Sequence, residues 1–323
     1  MSAVVRIPPD RWRHVGVRLL KDALLRVPGV ARLDARRQAG RTGEMYDPAH
    51  VVEVLRRHLS QLTAHGGSLT RRRILELGPG NSLGQSVLLV LLGAERVVAV
   101  DVRRYATERT GRGVYRQLVD GLEGWITSGD LASEIEPGER AGRANELLPA
   151  GATFPRLDGR LDYRILDSPA LPLETGTIDF AYSESVLEHV ADPGALYREL
   201  ARVMRPGGIC SHVIDLRDHH HPDPLDFLRY GDRLWSWMQG RSAGFTNRLR
   251  ESDHLALIER AGFERLDLRR TRLEPPAPLP PLAPRFRAYP EEELRTLTLV
   301  VALRRRPEGG KAPRPLDPAG RER

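Results

Sequence analysis

Two stretches of this 323-residue chain concentrate residue types that do chemistry. In ILELGPGNSLG (74–84), one acid, Glu76, sits in an apolar run that gives way to Gly78, Pro79 and Gly80. Without a Cβ, these glycines let the backbone turn sharply and approach a ligand closely. A helix after them would aim its free N–H groups and positive dipole end at that ligand. A dinucleotide fingerprint would need glycine at 83, where Leu83 stands, which counts against NAD or FAD. Asp101 ends a second apolar run, RVVAV (96–100), where a carboxylate can accept both hydroxyls of a ribose. The other stretch, SHVIDLRDHHH (211–221), crowds Asp215 and Asp218 against His219, His220 and His221. Such a group can deprotonate an acceptor or hold a divalent metal. Adjacent histidines cannot all face one ion, however, and a solvated polar loop is the ordinary explanation, so no metal is assigned. His189, in SVLEHV, is a further candidate base or a packed histidine. In SAGFTNRLRESDHL (242–255), Asn247, Arg248 and Arg250 either hold a polar acceptor or form a solvated face.

Positioning these residues requires a regular scaffold, and the hydropathy pattern supplies one. RILEL (73–77), RVVAV (96–100), LDYRI (161–165), TIDFAYS (177–183) and GICSHVIDL (208–216) read as five strands. Helices are expected at 82–92, stopped by Gly93, and from Asp192-Pro193 to RPGG (205–208). A further helix, capped by Ser252, runs to Ala261, and FERLDLRR and LRTLTLVVALR close the pattern. Strands alternating with helices imply an α/β fold with a doubly wound, mostly parallel sheet, binding ligands at its carboxyl edge. Residues 103–160 are too long for one crossover and are expected to add two helices, including YRQLVDGLEGWI. Two N-terminal helices are also expected. One is an amphipathic stretch over 10–27, carrying Trp12, Val15, Leu19, Ala23 and Val27; the other opens at Asp47-Pro48. The first is expected to pack on its own domain rather than on a membrane surface. Residues 274–290 are proline-dense and expected to be irregular.

Composition narrows the classes. The net charge of +7 comes from the ends: residues 1–50 hold ten Lys/Arg against five Asp/Glu, and 304–323 hold seven against three. The middle is slightly acidic, and only Lys21 and Lys311 are lysines. Neither feature is a basic binding face within the folded domain, so nucleic acid is not the expected partner. A single cysteine, Cys210, precludes an internal disulfide and fits a reducing cytoplasm. The start, MSAVVRIPPDRWRH, lacks the apolar core of a secretory signal, and the longest apolar run, VLLVLL, is too short to span a bilayer.

The run ILDSPALPLETGTIDFAYSESVLEHVADPGALYRELARVMRPGG (165–208) resembles the class I S-adenosylmethionine-dependent methyltransferases. The likeness is to their broad small-molecule group, with its D-A-x-x-L-P, F-D-x-V-x-S-x-x-V-L-E-H-V and R-V-L-x-P-G-G pattern. It extends well over 73–216. It implies a Rossmann-like methyltransferase domain at 67–303 with the insertion at 103–160, behind a helical cap at 1–66 and before a disordered basic tail at 304–323. The implied cofactor is S-adenosyl-L-methionine. By the resemblance, Glu76, Gly78 and Gly80 contact its methionine and ribose parts, with Asn81 beside them. Asp101 would hold the ribose hydroxyls, with Val102 next to it. Asp167 would accept from the adenine amino group, the Ser168 backbone would frame the ring, and Ser183 would lie beside the methionine moiety. Ser82 stands where the family has glycine, and Ser168-Pro169 where it has a small residue and an acid.

The implied activity is methyl transfer to a small or medium-sized polar acceptor, oxygen before nitrogen, with His189, Asp218 and His219 as candidate bases. The N-terminal helices and the insertion would cap the acceptor pocket. RNA or protein acceptors, or a non-catalytic cofactor-binding scaffold, are the alternatives.

Overall fold

The computed structural model describes residues 11, 12, 15–18, 20, 44–111, 113–157, 159–239, 246–274 and 278–307. Seven strands form one sheet: β1 (Arg73–Leu77), β2 (Arg96–Asp101), β3 (Leu161–Ile165), β4 (Ile178–Glu184), β5 (Met204–Asp215), β6 (Phe263–Arg272) and β7 (Thr296–Arg305). Their spatial order is β3-β2-β1-β4-β5-β7-β6. All neighbours among β1 to β5 pair parallel, whereas β7 is antiparallel to both β5 and β6. The winding reverses between β1 and β4, so the crevice favoured by ligands opens at their carboxyl ends.

Alternation along the strands divides the core into two faces. Ile74, Val97, Ala99, Phe180 and Tyr182 turn to one side, and Leu75, Val98, Val100, Ala181 and Cys210 to the other. The first face is covered by α1 (Pro48–Ala64), α2 (Gly84–Leu92), α3 (Val114–Ser128) and α4 (Pro137–Leu147). All nine residues of α2, GQSVLLVLL, are buried. A helix apolar on every side must lie inside the protein, and each buried leucine or valine contributes roughly 1.5–3 kcal/mol. The second face carries α5 (Pro193–Val203) and α7 (Glu251–Arg260).

The expected caps at the N-termini of α1 and α5 are present. Asp47 accepts from the Ala49 amide at 3.1 Å, and Asp192 from the Ala195 amide at 2.8 Å. In α7, Ser252 lies inside the helix and Arg250 occupies the N-cap, its amide donating to Asp253 at 2.9 Å. RPGG is also placed differently, within the start of β5: Ile178 faces Met204 but Phe180 faces Ile209, so the extra residues form an irregularity in the ladder.

Three departures bear on function. Helix α1 shares the main core through Val51, Val52, Leu55 and Leu62, so residues 48–64 are not a separate cap. The insertion does form two helices, but α4 packs against the far end of α2, where the Arg143 guanidinium donates to the Val90 and Ala94 carbonyls at 2.8 and 2.7 Å. That end points away from the carboxyl edge of the sheet. Third, a satellite core escaped the sequence pattern: Phe227, Leu228, Tyr230 and Trp235 pack with Phe286, Leu294 and Val15, around α6 (Asp232–Gln239) and α8 (Glu291–Leu294). Of the helix expected over 10–27, residues 11, 12, 15–18 and 20 are helical and the rest lie outside the described residues. Val15 is buried there, while Trp12 is exposed.

Candidate active site

At the end of β1 the chain turns through Gly78 and Gly80, at φ +66° and +69°. Both values belong to the left-handed region that favours glycine. A Cβ on Gly78 would stand 2.5 Å from Val186 Cγ2, so the backbone is bare because nothing larger fits. The close approach of α2 to its neighbours depends on Gly84, where a Cβ would meet Leu118 Cδ1 at 2.9 Å. Ser82 caps rather than opens this turn, donating to the Met45 carbonyl and accepting from the Gly84 amide at 3.2 Å. The Leu83 amide donates to the Tyr115 hydroxyl at 3.1 Å, tying the start of α3 to the same edge.

Glu76 lies beneath this turn, 3 % exposed, and accepts a hydrogen bond from the Ser86 hydroxyl. Burial raises its carboxyl from 4.5 to about 7, against the opposing influence of the Ser86 and Tyr182 hydroxyls. Between those two pH values the folded acid keeps a proton that the unfolded chain has lost. Stability therefore falls as pH rises through that window, by roughly 3 kcal/mol at about 1.4 kcal/mol per pH unit. Glu76→Gln should remove most of that fall. In denaturant titrations, the variant should gain on the parent by roughly 2–3 kcal/mol between pH 5 and pH 8; a difference that does not change with pH would refute this assignment.

Asp101 closes β2 one strand away. It is nearly buried, and burial raises its carboxyl to about 6 even though the Arg103, Val102 and Gly80 amides point toward it. Immediately beyond, Val102 is 68 % exposed, and Ile165 at the end of β3 is also exposed. Two apolar side chains thus border the acid on the open edge. Asp167 and Ser168 follow on an exposed loop, and Asn81 is buried beside the glycine turn. Ser183 is at the end of β4 as expected, but its side chain is fully buried and its hydroxyl pairs with His212 Nδ1 at 2.8 Å. Only its backbone remains for a ligand.

The candidate bases divide into two groups. His189 and His219 come together, ring centroids 5.0 Å apart. Asp218 turns elsewhere: it is buried, raised to about 6 chiefly by that burial, and the charges acting on it are Asp226, His221 and Arg18. Two acids complete the first group: Asp215, which the sequence already places in the Asp/His run, and Glu188, which it did not mark as a site residue. His219 Nε2 lies 3.3 Å from Asp215 Oδ2, and His189 Nε2 lies 3.9 Å from Glu188 Oε1. Arg217 and His219 hold Asp215 well below the usual carboxylate range.

The segment 247–250 is not a solvated face: its polar side chains are committed to backbone carbonyls. Asn247 donates to the Leu187 and Val190 carbonyls at 2.8 and 3.0 Å, fixing the turn that carries Glu188 and His189. Arg248 donates to the Phe227 and Tyr230 carbonyls, and Arg250 is fully buried among four others. Among the described residues, no helix is long and apolar enough to cross a membrane.

Residues 139–211 match the family model of a methyltransferase domain. An uncharacterized methyltransferase of Mycobacterium sp. (strain JLS) is 36% identical over 117 residues, 35% of this chain and 43% of that one. An uncharacterized 37.1 kDa protein in transposon TN4556 of Streptomyces fradiae is 42% identical over 78 residues, 24% of this chain and 20% of that one. The chain thus spans less than half the length of these curated relatives. A solved S-adenosylmethionine-dependent methyltransferase from Mesorhizobium loti superposes with TM-score 0.42 at 17% identity, over 77% of this chain and 98% of that one. At that score the fold is better read from the sheet itself. By the domain match over residues 139–211 and by these partial relatives, the chain is similar to methyltransferases.

Proposed function

We propose that this chain binds S-adenosylmethionine at the carboxyl edge of β1 and β2 and transfers its methyl group to a small or medium-sized acceptor, through oxygen. The observation that carries this is Asp101: a nearly buried carboxylate beside bare glycine backbone, bordered by exposed Val102 and Ile165. Its charged form lacks water and gains from two ribose hydroxyls, while the apolar pair offers a surface for a purine ring. Glu76 fits as well, because its costly ionised form would be favoured by an ammonium lying against it. Asn81, Asp167 and the Ser168 backbone stand on the same rim and are proposed contacts.

When bound, the cofactor supplies an electrophilic methyl on a sulfonium. The protein must then hold an acceptor oxygen in line, within roughly 3–3.5 Å of that methyl, and remove its proton. His189 and His219, past the ends of β4 and β5, are the proposed bases; Asp218 faces a different neighbourhood and is not. As the C–O bond forms, the C–S bond breaks, the proton passes to an imidazole, and S-adenosylhomocysteine remains.

The test is transfer of label from methyl-tritiated cofactor to a cell extract separated by size. Label in the low-mass fraction that is lost on mild base treatment, as from a methyl ester, or released by hydriodic acid under conditions that spare N-methyl groups, as from a methyl ether, supports an oxygen acceptor; label resisting both counts against it. Label confined to RNA or protein would favour the macromolecular reading, and cofactor binding without any transfer the scaffold reading.

A further inference from the structure

The group formed by Glu188, Asp215 and His219 goes beyond general-base chemistry. One ligand atom from each lies within 4.8 Å of the others, the spacing of donors around a single ion. Glu188 adds an independent observation. It is 2 % exposed, and among the described residues no side chain hydrogen-bonds to either carboxylate oxygen, although the Glu188 and Asp215 amides point toward it. The His189 imidazole, at 3.9 Å, is beyond hydrogen-bond reach. Burying a carboxylate with no side-chain counter-charge in hydrogen-bond contact is costly, and a cation bound there would offset that cost. Glu188 and Asp215 also line one small cavity, with Phe227 and Thr246.

We propose that Glu188, Asp215 and His219 bind a divalent first-row transition-metal ion at the acceptor end of the sheet. Two carboxylates and one imidazole suit Mn²⁺, Co²⁺ or Zn²⁺ better than Ca²⁺, which takes oxygen ligands alone. Arg217 currently holds both oxygens of Asp215, with Nη2 to Oδ2 at 2.6 Å, but its side chain is half-exposed and free to swing toward water as an ion enters. Asn247 braces the turn bearing Glu188 through the Leu187 and Val190 carbonyls. The site stands on its own geometry, whereas its role rests on the methyltransferase reading: a metal there would bring an acceptor oxygen to the rim and make its proton easier to lose, with His219 then a ligand and His189 left as the base.

The test uses the full chain, stripped with EDTA and titrated with Mn²⁺ by electron paramagnetic resonance and with Co²⁺ by visible absorption. One equivalent should bind, and Glu188→Gln and His219→Ala should each weaken uptake tenfold or more. His219 is on the surface side of the group, so that variant keeps the test valid should Glu188→Gln fail to fold. The double variant His220→Ala, His221→Ala should bind as the parent does. No uptake by the parent overturns the proposal. So does uptake that survives both Glu188→Gln and His219→Ala but disappears in the double variant, because a surface histidine run would then be the trap. Calorimetry with S-adenosylhomocysteine in EDTA reports separately on the cofactor site: binding there without metal uptake sinks only the metal site, and metal uptake without nucleoside binding sinks only the cofactor reading.

Discussion

Asp101→Asn should weaken binding of S-adenosylhomocysteine by about 100-fold or more at pH 7.5, without loss of fold. Hydrogen bonds to a charged group are worth about 1.5–3 kcal/mol each. If the carboxylate accepts from two ribose hydroxyls, losing its charge and one acceptor should cost about 3 kcal/mol, which is that factor. Stability should move the other way. The Asp101 carboxyl rises from 3.8 to about 6 on folding, so above pH 6 its ionised form costs the apo protein roughly 3 kcal/mol. An uncharged asparagine of the same shape escapes that cost, and the apo variant should melt no lower than the parent at pH 7.5. The two readouts together separate a binding role from a structural one. A purely structural acid would lower Tm and leave affinity in the surviving fold unchanged. Isothermal titration calorimetry and a thermal melt decide between them, and unchanged affinity would remove the central support of the proposed function.

The carboxyl edge of β1 and β2 was legible because its signals are local. Glycines followed by a helix, an acid closing a β-branched run, and alternation of period two all lie within a few residues of one another. The edge past β4 and β5 was not, because its residues meet only through the fold. Asp218 and His219 are adjacent in sequence yet face different neighbourhoods, one toward Asp226 and Arg18, the other toward Asp215. Position in the sequence said nothing about which way a loop residue would turn. Glu188 went unmarked beside His189, although one clue was present: like Glu76 in ILELG, it is a lone acid in an apolar run, SVLEHV, just after a strand. Both prove to be buried acids with raised pKa. The satellite core around Phe227 and Phe286 was missed for another reason. Its helices are short, its segments are interrupted by prolines, and it is assembled from pieces as distant as Val15 and Leu294.

Arginines were the other residues misread, and Arg250 provides the stronger test. An arginine before a helix in a polar loop suggested either an acceptor clamp or a solvated face. It is instead fully buried. Its guanidinium donates to the carbonyls of Leu216 and Leu294, each at 3.0 Å, of Glu293 at 3.1 Å, and of Thr296. Those groups belong to the end of β5, the last turn of α8 and the start of β7, so one side chain closes three elements that share no local sequence. Burial pulls its pKa down to about 10, yet it remains charged at neutral pH. Carbonyls at the carboxyl end of a helix carry partial negative charge and hold such a cation favourably. Arg250→Met keeps most of the volume but leaves four buried carbonyls short of a donor. Removing one partner from a buried charged network costs about 3–5 kcal/mol. At about 2–4 °C per kcal/mol for domains of 150–250 residues, Tm should fall by roughly 6–20 °C. Arg250→Lys, which keeps the charge but reaches fewer carbonyls, should fall in between. If Arg250→Met lowered Tm by less than about 2 °C, the clamp would be dispensable, and the joint between β5, α8 and β7 would have to be held by the satellite core alone.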